Sequence, residues 1–393
     1  MSEYTSLRSL FLGARPIIKG LLFGDSFDHY FMAMTDKYDQ AGSGMGSGIS
    51  LDWSPFALGG MRAAYQSTFY SYARKMLPFT NHYIIGFRFM CDLSDFSTFT
   101  STYEALNAPA IISLDANSIS TGTEALVILM LRSNGALAVW DGSGVSVSAA
   151  GVIAPGQEHY IEAAIFLDDS AGTIVLRVDG AEVLNLTGRN TASISYDTGY
   201  LRLGNGAGGA NPYLATSFWW HDLYVTDGSI EGAGFLGDTY VLALVPIDVG
   251  TYSEWIPIPA GFNFDNVSQD PPYSDYVETP TTATYRDTYQ ITGFDPINIK
   301  GVQFVMGVYD PFVSFQGLVR QGGVDATTLD IPYSGGRYSI LPTLVNPATG
   351  NIWALADFYS VPFGGAEFGM QSTGIDWQRV YQYVIEVFAD LAS

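Results

Sequence analysis

The stretch from Thr173 to Leu186 constrains the fold more than any other. Ile174, Leu176 and Val178 alternate with Thr173, Val175 and Arg177, which gives an extended strand one apolar face. Asp179-Gly180 follows and offers the two positive-φ positions of a tight hairpin turn, after which Ala181 to Leu186 returns. The same period of two recurs. In His82 to Met90, Tyr83, Ile85, Phe87 and Phe89 share one face, which is the core face, and His82, Ile84, Gly86 and Arg88 share the other. Leu131 to Trp140 predicts a second hairpin, turned at Asn134-Gly135, and Ser217 to Thr226 an aromatic strand. The Gly/Ser tract Ala41 to Ser50 has strand-like sequence on both sides and reads as a loop. Only 14% of the residues are charged, while 14% are aromatic and there are 43 Gly and 18 Pro, so long solvated helices are disfavoured and turn-linked aromatic strands favoured. The predicted class is all-β, with two antiparallel β-sandwich domains, jelly-roll-like, in tandem.

At 393 residues the chain is long enough for two domains with cores of their own. Between Gly228 and Gly237 it thins to Gly, Ser and single apolar residues, and the boundary is placed there. The expected layout is an N-terminal arm over 1–22, a jelly roll over 23–230 and a second β-sandwich over 238–393. The second unit should contain strands at Thr239 to Val245, Arg286 to Ile291, Val302 to Val308, Phe315 to Arg320 and Val380 to Phe388. The last of these is apolar at both helical and strand periods, but its Val, Ile and Tyr residues favour a strand.

Charge excludes some partners. With 17 Lys and Arg against 39 Asp and Glu, the net charge of −22 repels phosphate backbones and anionic lipid, so neither nucleic acid nor a membrane surface is an expected partner. The single cysteine, Cys91, allows no internal disulfide and no cysteine-based metal site. Leu10 to Phe23 is apolar but broken by Arg15, Pro16 and Lys19, which reads as neither signal peptide nor membrane span and points to synthesis in a cytoplasm.

Two resemblances follow from particular segments. Tyr160-Ile-Glu-Ala-Ala-Ile-Phe, then Thr173-Ile-Val-Leu-Arg-Val-Asp-Gly, then Phe218-Trp-Trp-His-Asp-Leu-Tyr-Val-Thr-Asp, with Phe27-Asp28 near the start, resemble a laminin-G/concanavalin A-like jelly roll over about the first 230 residues. Leu244-Val-Pro, Gly250-Thr-Tyr-Ser-Glu-Trp, Asp265-Asn-Val, Pro271-Pro-Tyr-Ser-Asp-Tyr-Val and Asn346-Pro-Ala-Thr-Gly-Asn-Ile-Trp through Phe368-Gly resemble a C-terminal domain of tailed-bacteriophage and prophage virion structural proteins. Ser268 and Gln269 stand where that domain usually carries an acidic pair, so no role resting on those carboxylates transfers. The resemblance implies a virion protein, assembled in the host cytoplasm; the lone cysteine, and sheet edges and aromatic surface that need covering, imply that it works as a homo-oligomer or bound to other virion proteins. A host-surface glycan is the alternative partner.

The chain offers little for catalysis. Retaining glycosidases need two carboxylates about 5 Å apart. Glu158 and Glu162, four residues apart, would lie about 13 Å from each other along one strand at roughly 3.3 Å per residue, and they read as solvated strand-face charges. No nucleophile elbow is present, and the four histidines show no partners in the sequence, His221 reading as half-exposed. The expectation is a non-enzyme, with a carbohydrate-active enzyme as the weaker rival. Calcium is the one cofactor with candidate ligands, Asp168, Asp169, Asp222 and Asp227, although turn geometry explains such residues more often. Candidate binding rings are Tyr213, Trp219, Trp220 and Tyr273, to which Trp255, Tyr276 and Trp353 add further aromatic surface.

Overall fold

The computed structural model describes residues 20–27, 38, 40–43, 49–53, 59–65, 71–91, 110–116, 125–192, 199–205, 216–230, 233–268, 275–280, 283–291, 296–308, 315–331, 338–343, 345–358, 365–373 and 378–391. The first part of the chain contributes β1 (Leu21–Asp25), β2 (Gln40–Ser43), β3 (Ile49–Trp53), β4 (Gly59–Tyr65), β5 (Ser71–Leu77), β6 (His82–Cys91), β7 (Ala110–Asp115), β8 (Ala125–Leu131), β9 (Leu137–Asp141), β10 (Gly144–Val147), β11 (His159–Phe166), β12 (Gly172–Val178), β13 (Ala181–Arg189), β14 (Gly199–Asn205) and β15 (Thr216–Asp227). One sheet runs β13-β12-β11-β6-β15-β4-β3 with β1 also on β15, and a second runs β10-β9-β8-β7-β14-β5-β2. The pairings are antiparallel.

The two sheets enclose one core. Tyr83, Ile85, Phe87 and Phe89 of β6, Ile174, Leu176 and Val178 of β12, and Leu201 and Leu203 of β14 all point into it, as strand alternation requires. Each such side chain stabilises the sandwich by about 1.5–3 kcal/mol through burial. Asp179 and Gly180 sit at φ 50° and 78°, the primed turn that matches the twist of the β12–β13 hairpin. The turn at Asn134-Gly135 lies in a longer loop, closed by the Arg132 amide donating to the Ala136 carbonyl. Both ends of the Gly/Ser tract are strands, β2 and β3, and 44–48 lie outside the described residues. The first sheet starts inside the expected arm, at Leu21, because Leu21 and Phe23 pair with Thr226 and Val225 of β15.

The second part contributes β16 (Tyr240–Leu244), β17 (Pro246–Ser253), β18 (Ile256–Ile258), β19 (Tyr276–Glu278), β20 (Arg286–Ile291), β21 (Pro296–Val308), β22 (Phe315–Gln321), β23 (Val324–Ile331), β24 (Tyr338–Thr343), β25 (Glu367–Ser372), β26 (Arg379–Leu391) and the short helix α1 (Asn263–Ser268). Its sheets run β18-β19-β26-β21-β24, with β16 also on β26, and β17-β20-β25-β22-β23. Trp255, Trp353, Phe304, Phe368, Tyr383 and Ile385 lie in the core between them. The architecture is therefore all-β, built from two antiparallel, jelly-roll-like sandwiches.

The sandwiches are joined face to face. Tyr383, Ile385, Val387 and Ala389 of β26 point into the second core, so Val384, Glu386 and Phe388 point the other way. Phe388 packs with Leu21, Ile84, Tyr160, Tyr224 and Val241, and Val384 reaches the first core. Polar contacts frame this apolar contact. Glu386 accepts from the Ser26 amide at 3.0 Å and from Gln303 Nε2 at 2.6 Å, while Gln303 Nε2 also donates to the Gly24 carbonyl at 3.1 Å. No strand lies between Asp227 and Tyr240 among the described residues, but this connection is pinned: Lys300 Nζ donates to the Leu236 carbonyl at 2.7 Å and to Thr239 Oγ1 at 2.8 Å.

Candidate ligand-binding site on the second sheet

In the second sheet β5, β14 and β7 are neighbours, with Arg74 opposite Arg202 and Arg202 opposite Ser113. Ala73, Leu77, Leu201, Leu203, Ile112 and Leu114 face the core. Alternation therefore places Tyr72, Arg74, Met76, Tyr200, Arg202, Ser113 and Asp115 together on the opposite, outer face. Ile128, Met130, Ala138 and Trp140 of the adjoining strands continue that face as an apolar patch. The polar cluster thus sits beside a buried apolar cluster, with Trp140 partly exposed at its margin.

Its electrostatics are unusual for so acidic a chain. Among the described residues five Lys and Arg are buried: Arg74, Lys75, Arg88, Arg202 and Lys300. Arg202 is fully engaged on one side, donating from Nε to Ser113 Oγ at 2.9 Å and from Nη2 to Asp115 Oδ1 at 2.7 Å. Ser113 Oγ also donates to Asp115 Oδ1 at 3.0 Å. Arg74 lies flat over the Tyr200 ring, 3.9 Å from its centroid. Its Nε is 3.9 Å from Asp115 Oδ2, beyond hydrogen-bonding distance. Although Arg74 is only 3% exposed, both its Nε and its Nη2 lack a hydrogen-bond partner. Burial pushes its guanidinium below the usual range, Asp115 opposes that and the nearby Arg202 adds to it. Among the described residues two guanidiniums here face the one carboxylate of Asp115.

The residues singled out in the sequence fall elsewhere. Trp220 is buried in the first core among Phe89 and Phe218. Trp219, opposite Met90 in the first sheet, is 9% exposed and presents no open ring. Trp255 and Trp353 fill the second core, and Tyr276 stacks against Arg379. Tyr213 and Tyr273 lie outside the described residues. Of the aspartates, Asp168 shapes the β11–β12 turn by accepting the Ala171 and Ser170 amides, which hold its carboxyl below the usual range. Asp169 accepts from Ser170 Oγ, and Asp227 from Thr80 Oγ1 and Ser229. Asp222 is buried in mid-strand. The structure does not bring the four together, and among the described residues no group of His, Cys, Asp or Glu is arranged to hold a metal ion.

Two readings of individual residues are overturned at the junction of the sandwiches. Glu162 is not a solvated charge: it is 1% exposed and accepts from the Tyr224 hydroxyl at 2.6 Å and the Gly237 amide at 2.9 Å. Glu158 and His221 are partners rather than isolated groups. His221 is 5% exposed, with Nε2 at 2.8 Å from Glu158 Oε2 and Nδ1 at 3.0 Å from Asp222 Oδ2. Arg88 contacts Glu158, Asp222 and Asp238 and lies over the Tyr240 ring. Asp222 bridges the units by accepting the Val241 amide at 2.7 Å. It sits at φ 53° within a bulge of β15. Burial alone would lower the His221 pKa, but hydrogen bonds to Asp222 and Glu158 and their charges outweigh it and raise the pKa to about 9. His221 is thus held as an imidazolium between two carboxylates of the first sandwich, one of which makes the link to Val241.

No known protein family matches the chain, and no curated protein matches it. Among solved structures, alginate lyase Aly36B aligns over 53% of this chain and 97% of its own, at 9% identity and a TM-score of 0.35. Alginate lyase vAL-1 from Chlorella virus aligns over 49% and 93%, at 9% identity and a TM-score of 0.34. The carbohydrate recognition domain of Emp47p aligns over 55% and 100%, at 14% identity and a TM-score of 0.32. At these scores neither an activity nor a ligand passes from those proteins to this one.

Proposed function

We propose that this protein is a non-catalytic, saccharide-binding component of a phage particle, and that the outer face of its second sheet is the binding surface. The observation that carries the binding reading is the pair of partly exposed rings, Tyr72 and Tyr200, beside Arg74. Tyr72 and Tyr200 are half-buried on neighbouring strands of one sheet face, with Arg74 against Tyr200, and flat rings of this kind are what a sugar ring stacks on. The absence of chemistry rests on Glu158 and Glu162, the carboxylates weighed for it, which are committed to Arg88, His221, Tyr224 and Gly237. The particle setting, with other virion proteins and further copies of this chain as partners, rests on the resemblance of Gly250 to Trp255 and Asn346 to Trp353.

The test is binding of the purified full chain to an array of bacterial-envelope oligosaccharides. A bound glycan whose affinity falls about tenfold in Tyr72→Ala, with the thermal melt unchanged, supports the surface. No binding by the folded chain, or release of shortened saccharides from the array, refutes the reading. Antibody labelling of intact particles tests the setting.

A further inference from the structure

We infer that the loop Ile256–Phe262 is a docking knob that seats in an apolar pocket, rimmed by Lys or Arg, on a different protein. The loop belongs to the second sandwich, and the inference does not rest on the saccharide-binding reading. Its seven residues, Ile-Pro-Ile-Pro-Ala-Gly-Phe, carry no polar side chain. Yet Ile256 is 41% and Phe262 59% exposed, and Pro259, Ala260 and Gly261 between them are exposed as well. Apolar residues scattered singly over a surface need no explanation, whereas a contiguous run of them marks an interaction site. Buried polar groups hold this run in place. Asp287 Oδ1 accepts the Glu254 amide at 2.8 Å and the Trp255 amide at 3.3 Å just before the loop, and Asp287 Oδ2 accepts from Asn263 Nδ2 just after it. Asn266 Nδ2 donates to the Pro259 carbonyl at 3.0 Å in its middle. Trp255 is buried against Phe315, and the Phe262 ring stacks on Phe264, which packs against the second core. The beginning, middle and end of the loop are thus fixed from within, so little ordering entropy remains to be lost on binding.

The same geometry selects the occupant. β18 is the last strand of its sheet, but Pro257 and Pro259 take N–H donors away from it, so sheet extension is disfavoured and a partner reads side chains. A flat contact between globular surfaces takes about 20–30 residues a side. Seven are too few for that and suit a pocket, with Phe262 as its anchor. Charge disfavours a second copy and gives the rim its sign. Beside the loop, Glu254 pairs with Arg286 at 3.3 Å and Glu278 with Arg379 at 2.9 Å. Asp265, exposed and three residues beyond Phe262, forms no ion pair among the described residues. Two copies meeting loop to loop about a two-fold axis would bring their Asp265 carboxylates together, on chains that each carry −22. A Lys or Arg at the edge of a partner's pocket pairs with Asp265 while the centre buries Phe262 and Ile256, which is the apolar centre and polar rim of a protein–protein contact.

The test uses two libraries of designed helical hairpins displayed on yeast, with grooves varied among Ala, Leu and Met and differing only in a rim of Lys or of Glu. The full chain is the bait, at about 0.15 M salt, where long-range attraction to its acidic surface is screened. Binders should enrich from the Lys-rimmed library and not from the Glu-rimmed one. Phe262→Ser should weaken them about tenfold, the effect of removing a half-exposed ring from a pocket. Asp265→Asn should cost about two- to fivefold, the size of an exposed ion pair. Phe79→Ser removes an equally exposed ring, also 59%, from the first sandwich and should change nothing. Thermal melts of the three variants, each altered at an exposed side chain, should match that of the native chain. No enrichment with the folded chain, equal enrichment from both libraries, binders indifferent to Phe262→Ser, or the same loss in Phe79→Ser overturns the inference. So does a native dimer in sedimentation velocity that Phe262→Ser dissociates, which would give the loop to a second copy. Glycan binding at Tyr72 is read in a separate assay, so either reading can fail without the other.

Discussion

Replacing Gly24 by alanine tests whether the two sandwiches are one mechanical unit. Gly24 lies in β1, and a Cβ there would stand 2.1 Å from Cζ and 2.4 Å from Cε1 of Phe388. Carbon atoms in contact settle at about 3.5–4.0 Å, so the ring or β1 has to move by more than 1 Å. Neither is free to do so. Phe388 is 0% exposed within its cluster, and β1 is tied to the other sandwich by Gln303 on the Gly24 carbonyl and by Glu386 on the Ser26 amide. Overpacking of this kind costs about 1–3 kcal/mol. Phe388→Ala, which removes the obstacle, should alone cost about 3–5 kcal/mol through the cavity it leaves. The double variant then regains most of the Gly24→Ala penalty, so the two effects should be non-additive by about 1–2 kcal/mol. Urea unfolding of the four proteins in the cycle, followed by both tryptophan fluorescence and circular dichroism, measures this. A Gly24→Ala cost under about 0.5 kcal/mol, or strict additivity with Phe388→Ala, would refute the packing of Gly24 against Phe388 as the seam of the molecule.

The remaining expectations concern the polar groups. His221 is raised from 6.5 to about 9 when folded, so its contribution to stability is complete below pH 6.5 and is lost as pH rises through about 9. That difference corresponds to about 3 kcal/mol; denaturation midpoints of the native chain should fall over this window, and His221→Gln should flatten the slope, a slope unchanged in the variant contradicting the assignment. Glu162→Ala leaves the Tyr224 hydroxyl and the Gly237 amide without their acceptor and should cost about 1–3 kcal/mol. Limited proteolysis should then cut first within residues 230–238, and unchanged resistance there would count against Glu162 as an anchor of the connection. Because Asp168, Asp169 and Asp227 serve turns and Asp222 serves the junction, neither calcium nor a chelator should move the melting temperature by more than about 1 °C, whereas a clear calcium-dependent rise would point to a metal site.

How far the sequence reveals such features depends on what covers each strand. The β6 core face and the β12–β13 hairpin were legible because one face of each meets the core and the turn residues are local. β26 resisted a single period for a physical reason: it is buried on both sides, by its own core through Tyr383 and Ile385 and by the other sandwich through Val384 and Phe388. Glu162 follows the same rule. Alternation correctly turns it away from the first core, but outward there means against the second unit rather than into water. β17, β23, β24 and β25 carry too few consecutive apolar alternations to stand out as Pro246–Ser253, Val324–Ile331, Tyr338–Thr343 and Glu367–Ser372. For the binding site, the signal in the sequence is a basic residue between apolar ones, as in Leu201-Arg202-Leu203 of an acidic chain. What it lacks is the pairing of β5, β14 and β7, which unites residues 74, 113 and 202, and the fact that only Arg202 receives protein acceptors.

The contact between Ser26 and Glu386 closes a separation of 360 residues. At translation speeds of about 5–20 residues per second, the ribosome needs on the order of ten seconds or more to travel from the end of β15 to β26. For that interval the outer side of the first sheet, with Leu21, Ile84, Tyr160 and Tyr224, has no Phe388 to cover it. A growing chain in this state displays a greasy panel set around the buried charges of Arg88 and Glu162, the sort of surface to which chaperones attach and through which neighbouring nascent chains on a polysome can stick together. The yield of correctly assembled protein in a cell should therefore be governed less by the final stability of either sandwich than by how long this panel waits for its cover.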